Sequence, residues 1–303
     1  MPSSRCPRTL PFRSPVDPNR EPVPSTGVAM CPFVAGYCGV MSLEGPPVEA
    51  YWLTVVSVHK DDHQNLKKTL KSMSGQLTQG VEFIVVDGSS NRIATIDLCT
   101  EYVELGVKVL ADDPRGIYAA MNIGLTRAQG RYISFLNAGD CFHSDKVLCS
   151  LRVIASKQDP VWIYGDVQLI DRHGRKRLSG KFNYSVEQTR NFRAGRFPMQ
   201  PASLVQTDVL RDLGGFDLAM EIAADYKMTL ELSKLAPPTY WNGTVVDFAL
   251  GGTSSTKWIN ACREAHRARM EVFSLSRVAQ LADVFFSTPV YLRGLVSRIL
   301  GRV

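Results

Sequence analysis

Cysteine is sparse and unpatterned. The seven in 303 residues (Cys6, Cys31, Cys38, Cys99, Cys141, Cys149, Cys262) form no C-x-x-C pair and no zinc spacing. This argues against a disulfide-stapled scaffold, and the odd number in so long a chain points to reduced thiols in a cytosolic compartment. Long apolar runs are missing too. The stretches 278–286 and 290–300 are strongly apolar, but Pro289 breaks between them and neither reaches the roughly 20 residues of a membrane-crossing helix. Charge of one sign is modest, net +6, and no nucleic-acid reader module accompanies the arginines, so nucleic acid is not the expected partner. What remains is 45% hydrophobic and 21% charged, long enough to bury a sizeable core in one large domain or two small ones.

Residues 1–48 differ from the rest. They are rich in Pro, Arg, Ser and Gly without periodicity, which predicts a disordered extension. The weakly apolar run 28–41 follows arginines as a secretory signal would, but Pro32, Gly36 and Gly39 interrupt it and no clear cleavage site follows. Met30 and Met41 are alternative starting points for the chain.

The folded part opens at 52–58, a continuous apolar run suited to a strand buried on both faces. A helix over 65–73 with Leu66, Leu70 and Met73 on one face leads to a strand over 81–86, which ends in Asp87-Gly-Ser-Ser-Asn91. That is a βαβ unit. A helix over 94–105 and a strand over 107–110 come next. A turn at 112–114 then introduces a helix over 117–128 with apolar residues at helical spacing, closed by Gly130. The strand 132–136 stops at Asn137-Ala-Gly-Asp140. An acid thus stands past the carboxyl end of a strand, where open α/β sheets bind ligands.

Arg115-Gly-Ile-Tyr-Ala-Ala-Met-Asn-Ile-Gly124 followed by Gly130-Arg-Tyr-Ile-Ser-Phe-Leu-Asn-Ala-Gly-Asp140 resembles the donor-site segment of family 2 glycosyltransferases, in particular bacterial enzymes of surface-polysaccharide and glycolipid assembly. The resemblance implies an α/β chain of GT-A fold: a Rossmann-like nucleotide-binding sheet, an acceptor-binding half and a helical C-terminal tail. It implies that Asp87 contacts the donor nucleotide, and that Arg115 and Asn122 contact donor phosphate and sugar. Asp140 would bind donor and carry a Mg2+ or Mn2+ ion, since a divalent cation stabilises the charge on a departing nucleoside diphosphate. Hard oxygen ligands suit either metal. The alternative for Asp87 is a plain turn residue, because Asp-Gly is a strong turn dipeptide. Two departures stand out: Ala138 occupies the place of the first acid of a D-x-D pattern, and Ala119 that of an Asp common in relatives.

The second half is the expected acceptor side. A strand over 162–170 contains Tyr-Gly-Asp166, which also resembles the family, and 171–174 reads as a hairpin turn. Gln200 is kept where relatives read His-Gln, but Met199 replaces the His, so Gln200 and Asp166 are the acceptor-site candidates. Gly214-Gly-Phe-Asp217 and then Asp225 near a helix start form the other signature. Asp225 is the general-base candidate, because a carboxylate within hydrogen-bond reach can take the proton of an attacking hydroxyl. Its alternative is a favourable acid at a helix N-terminus. Lys227 stands where many relatives carry a second acid, and 248–255 resembles a Gly-Gly-x-Ser loop that closes over the donor.

From Trp258 the chain reads as a basic amphipathic helical tail with Arg263, His266, Arg267 and Arg269, either lying on an anionic membrane surface or packing back on the catalytic domain. The expected organisation is a 1–48 extension, a 49–255 catalytic domain and a 256–303 tail. The expected activity is metal-dependent, inverting sugar transfer from a nucleotide-sugar donor to a hydroxyl of a glycan or lipid-linked acceptor in cell-envelope biosynthesis. Its expected place is the cytoplasm, with peripheral contact at the inner face of the membrane. Two other readings stay open: a sugar nucleotidyltransferase, for which 59–63 lacks the Gly-rich basic loop, and a non-catalytic binding module, towards which Ala119, Ala138, Met199 and Lys227 point.

Overall fold

A computed structural model describes residues 51–284 apart from 77, 112–114, 172, 180–190, 193–196, 252–256, 275, 277, 279 and 282. The predicted 1–48 extension, the turn at 112–114, most of the glycine loop after Gly251 and the apolar piece 290–300 therefore lie outside the described residues.

Four parallel strands form the first half. β1 (Leu53–His59) pairs with β2 (Val81–Asp87) on one side and β4 (Tyr132–Phe135) on the other, and β2 pairs with β3 (Lys108–Ala111). Every residue of β1 and β4 is buried, as their continuous apolar sequence requires. Alternation sends Val56, Val58, Ile84, Val86, Ile133 and Phe135 to one face, under helix α3 (Ile117–Arg127). Leu53, Val55, Phe83, Val85, Tyr132 and Leu136 go to the other, under α1 (His63–Ser74), α2 (Arg92–Thr100) and α4 (Val147–Gln158).

The sheet continues in mixed sense. Across the described residues its order is β3-β2-β1-β4-β8-β6-β9-β5, with β5 (Cys141–Phe142), β6 (Trp162–Ile170), β8 (Ser203–Gln206) and β9 (Thr239–Ala249). β7 (Lys176–Leu178) pairs with β6 as the hairpin partner expected after the turn at 171–174. Helices α5 (Thr207–Asp212), α6 (Ala224–Leu235) and α7 (Trp258–Phe273) complete it, and Ala268 and Val272 of α7 are buried in the same core as Tyr226, Met228 and Leu230 of α6. Arg269, counted above with the basic tail, is buried and bound to Asp283.

Several boundaries differ from the sequence expectation for definable reasons. Helix α1 begins earlier, because the Asp62 side chain accepts the Asn65 N–H at 3.2 Å and caps it. Helix α2 stops at Thr100, and a separate 3₁₀ turn covers Val103–Leu105. Gly130 does not close α3, whose cap is Ala128. A Cβ on Gly130 would stand 2.3 Å from the Thr54 backbone nitrogen, so glycine is needed there for close approach to β1.

Candidate active site

The parallel strands bring their carboxyl ends to one edge. His59 at the end of β1 stands in register with Asp87 at the end of β2, which stands in register with Ala111 at the end of β3. β4 delivers the 137–140 turn beside them, through an Ala138 N–H bond to the Val58 carbonyl at 3.3 Å. Thr69 of α1 shapes that turn: its hydroxyl donates to the Asp140 carbonyl at 2.8 Å and accepts the Gly139 N–H at 3.0 Å. Nothing in the local sequence marks Thr69 for this role, since the residues it binds lie some seventy positions away.

Asp140 is buried, and its Oδ1 accepts the Ala249 N–H at 3.2 Å from the end of β9. Burial pushes its carboxyl up to about 7, and among the described residues no basic side chain pairs with it. A hard oxygen donor without a counter-charge suits a divalent cation. Among the described residues no group of three His, Cys, Asp or Glu side chains is gathered for a metal, so Asp140 would hold one with donor phosphate and water as the other ligands. Mg2+ and Mn2+ both tolerate so small a protein share.

Asp87 is fully buried. Its Oδ1 accepts the Ser89 N–H at 2.9 Å, as a turn residue would, while Oδ2 has no hydrogen-bond partner among the described residues. Among the described residues both ring nitrogens of His59, the Ser57 and Ser134 hydroxyls and the Asn137 Oδ1 are likewise buried and without a hydrogen-bond partner. Burial holds the His59 imidazole below its ordinary range, so the neutral ring presents one donor and one acceptor. Such a concentration of unsatisfied polar atoms is rare in a core and common where a polar group binds.

Asp225 lies in the first turn of α6, half-buried. Its Oδ1 accepts the Tyr226 N–H at 2.8 Å and the Tyr118 hydroxyl at 3.0 Å; Oδ2 carries no hydrogen bond among the described residues. Burial raises its carboxyl above the ordinary range, against the downward pull of those two donors. Burial and Asp225 also push the Tyr118 phenol far up, which keeps it a hydrogen-bond donor. Tyr118 belongs to the first turn of α3, so Asp225 is tied to the helix that rises from the same sheet edge.

The remaining candidates are placed as follows. Asn122 is engaged with backbone: its Nδ2 donates to the Phe216 carbonyl and its Oδ1 accepts the Phe216 N–H, both at 2.8 Å. Gly215 makes this clamp possible, with φ +73° and a would-be Cβ 2.5 Å from Asn122 Oδ1. Arg115 is exposed just before α3. Gln200 is buried and donates to the Phe135 carbonyl at 3.2 Å, beside the strand end that leads to Asp140. Asp166, half-buried on β6, accepts the Tyr240 hydroxyl at 2.9 Å. The structure therefore collects His59, Asp87 and Asp140 at one strand-end edge and ties Asp225 to Tyr118, while Asp166 sits across β8 from β4.

Comparison with known proteins finds similarity in sequence and in fold. The sequence model described as Glycosyl transferase family 2 matches residues 54–214. An uncharacterized glycosyltransferase of Mycobacterium tuberculosis is 30% identical over 212 residues, covering 67% of this chain and 77% of its own length. A glycosyltransferase of Mycobacterium bovis named for PGL/p-HBAD biosynthesis is 30% identical over 122 residues, 39% of this chain and 46% of its own. Among solved structures, S. aureus TarS 1–349 in complex with UDP-GlcNAc superposes with a TM-score of 0.59 at 15% identity, covering 75% of this chain and 69% of that one. The mannosyltransferase PcManGT of Pyrobaculum calidifontis, in complex with GDP-Man and Mn2+, gives 0.57 at 13% identity, with coverages of 82% and 75%.

Proposed function

The chain belongs to glycosyl transferase family 2, and from that membership we propose a single displacement whose work is divided between two carboxylates. The enzyme is a glycosyltransferase of GT-A fold. In the proposed reaction its donor is a nucleoside-diphosphate sugar and its acceptor a hydroxyl on a cell-envelope glycan or glycolipid.

The base side is the simpler. Asp225 Oδ2 removes the proton of the acceptor hydroxyl while that oxygen bonds to the anomeric carbon. The bond from that carbon to the phosphate oxygen breaks, and its electron pair leaves with the nucleoside diphosphate. Attack opposite the leaving group inverts the centre. Tyr118 and the Tyr226 N–H fix Oδ1, which leaves Oδ2 for the proton.

On the donor side, Asp87 and the neighbouring His59 receive polar groups of the nucleotide, and Arg115 faces its phosphates. Asn122, whose side chain is engaged with the Phe216 backbone, serves the base side instead. Asp140 would hold a Mg2+ or Mn2+ ion, which when bound supplies positive charge against the departing diphosphate. Gln200 and Asp166 orient the acceptor. The named ligands of TarS and PcManGT support the donor class and the metal, and the name of the M. bovis relative supports a glycolipid acceptor.

Among the described residues no helix is long and apolar enough to cross a membrane. Exposed Val278, Leu281 and Val284 support peripheral contact with a membrane surface, in keeping with a lipid-linked acceptor at its cytoplasmic face.

The observation that carries the reading is Asp225, a half-buried carboxylate with a raised proton affinity, one oxygen pinned and one unengaged. Asp225→Asn tests it. Sugar transfer should fall about 10³-fold, within the range general-base removal produces. Transfer at the wild-type rate would show that another group takes the proton.

A further inference from the structure

Helix α7 lies beyond the residues the family model matches, yet it grips the segment that carries Asp225 from both ends. At the near end, the Glu264 carboxylate receives three backbone amides: Glu221 N–H on Oε1 at 3.0 Å, and Ile222 and Ala223 N–H on Oε2 at 2.8 and 2.9 Å. These amides lead into α6, which opens at Ala223, a residue with no capping side chain of its own. At the far end, Glu271 binds Lys227 at 2.8 Å, which Asp217 of the Gly-Gly-Phe-Asp turn also holds at 2.7 Å. Between them Arg269 lies over the Tyr226 ring and donates to its hydroxyl at 3.1 Å, itself fixed by the buried Asp283.

A helix start normally takes its cap from its own chain one to three residues away. Here a carboxylate about forty positions downstream binds the amide of the residue that opens the helix and the two amides before it, charge-assisted bonds of the strong kind. Tyr118 holds the same loop from the opposite side, donating to the Ile222 carbonyl at 2.5 Å as well as to Asp225. Residues 221–225 are thus clamped between α3 and α7.

We propose that Glu264 is a positioning residue for the transfer reaction: from α7 it anchors the 221–223 backbone that leads into α6 and thereby fixes the direction in which Asp225 Oδ2 meets the acceptor hydroxyl. This rests on the reading of Asp225 as the base. Glu264 also acts on Asp225 through its charge. The groups facing Asp225 are the Tyr118 phenol from α3 and Glu264 from α7, while on its own helix Lys227 is paired with Asp217 and Glu271. Arg269, behind Tyr226, is neutralised by Asp283. Burial raises Asp225 most, the Tyr226 and Tyr118 donors lower it, and the Glu264 charge raises it. A base with higher proton affinity accepts the hydroxyl proton more readily, so anchor and charge work in the same direction.

The test uses the full chain with Glu264→Ala and Glu264→Gln, comparing kcat, donor KM and the pH dependence of kcat, with Asp225→Asn alongside. Glu264→Ala should lower kcat about 10²-fold through misorientation, with donor KM within about threefold. Glu264→Gln keeps an acceptor for the amides and should recover most of kcat. Its acid limb should move to lower pH, because the charge that raised Asp225 is gone. Should the Ala variant not fold, the acid limb of the Gln variant decides alone. A Glu264→Ala enzyme with unchanged kcat beside an inactive Asp225→Asn would overturn the positioning role. So would a Gln variant with an unmoved acid limb, or losses in which donor KM rises in step. Full transfer by Asp225→Asn would instead sink the base assignment on which the role depends.

Discussion

The two sides of the proposed site, one for the donor and one for the base, are built by different means. The donor side is made of strand ends: His59, Asp87 and the 137–140 turn arrive together because β1, β2 and β4 run parallel in fixed register. The base side is made of long-range side-chain bonds: Tyr118 to Asp225, Asn122 to Phe216, Glu264 to the 221–223 amides. Register follows from hydrophobic pattern and cannot slip without turning every side chain to the wrong face. The base side has no such protection, and its geometry depends on individual polar contacts. Single substitutions should therefore separate the two sides, damaging turnover while donor binding persists.

The largest separation of this kind should come from Gly215→Ala. The left-handed φ and the collision with Asn122 Oδ1 together should cost about 2–4 kcal/mol and lower the unfolding midpoint by several degrees. If the comparison holds, the folded fraction binds nucleoside diphosphate within about threefold of wild type while transfer falls at least about tenfold, as expected when a reacting group is misplaced. Equal losses in both would mean that the two sides are not separable.

A smaller effect belongs to the donor side and is read through pH. The folded Asp140 carboxyl is raised to about 7, whereas the unfolded one sits near the ordinary value of about 3.9. The folded state therefore binds the proton more tightly, and its stability declines as pH rises from about 4 to about 7, then levels. The decline is of the order of a few kcal/mol at most. Asp140→Asn should abolish it, so metal-free unfolding curves of variant and wild type diverge between pH 4.5 and 7.5 in favour of the variant. Parallel curves across that range would show that the carboxylate is already compensated.

The same contrast governs what could be read from the chain. The elements of the proposed donor side were legible because strands buried on both faces leave continuous apolar runs, with acids directly after them: β1, β2, β4 and α3 all lie within a residue or two of their expected positions. β9 was not legible. Its sequence, Thr-Tyr-Trp-Asn-Gly-Thr-Val-Val-Asp-Phe-Ala, is half-buried without alternation, since it runs beside β6 with register shifts around Asp166. β8 has only four residues, too few for a period to emerge. Thr69 and Glu264 were unreadable for another reason. Each acts on residues some forty to seventy positions away, and nothing in their local sequence distinguishes them from other helix residues. Gly130 was noticed for the wrong cause, because a close approach to β1 leaves the same letter as a helix stop.

The most direct test of the division between the two carboxylates is a thermal-shift comparison of wild type, Asp140→Asn and Asp225→Asn with UDP, GDP, TDP and CMP, each with Mn2+, with Mg2+ and with chelator. At about a hundred times its dissociation constant a ligand adds roughly 2.7 kcal/mol, a shift of several degrees for a domain of this size. One diphosphate with metal should stabilise wild type and Asp225→Asn alike, and chelator or Asp140→Asn should remove the shift. An equal shift in Asp140→Asn, or its loss in Asp225→Asn, would contradict that division.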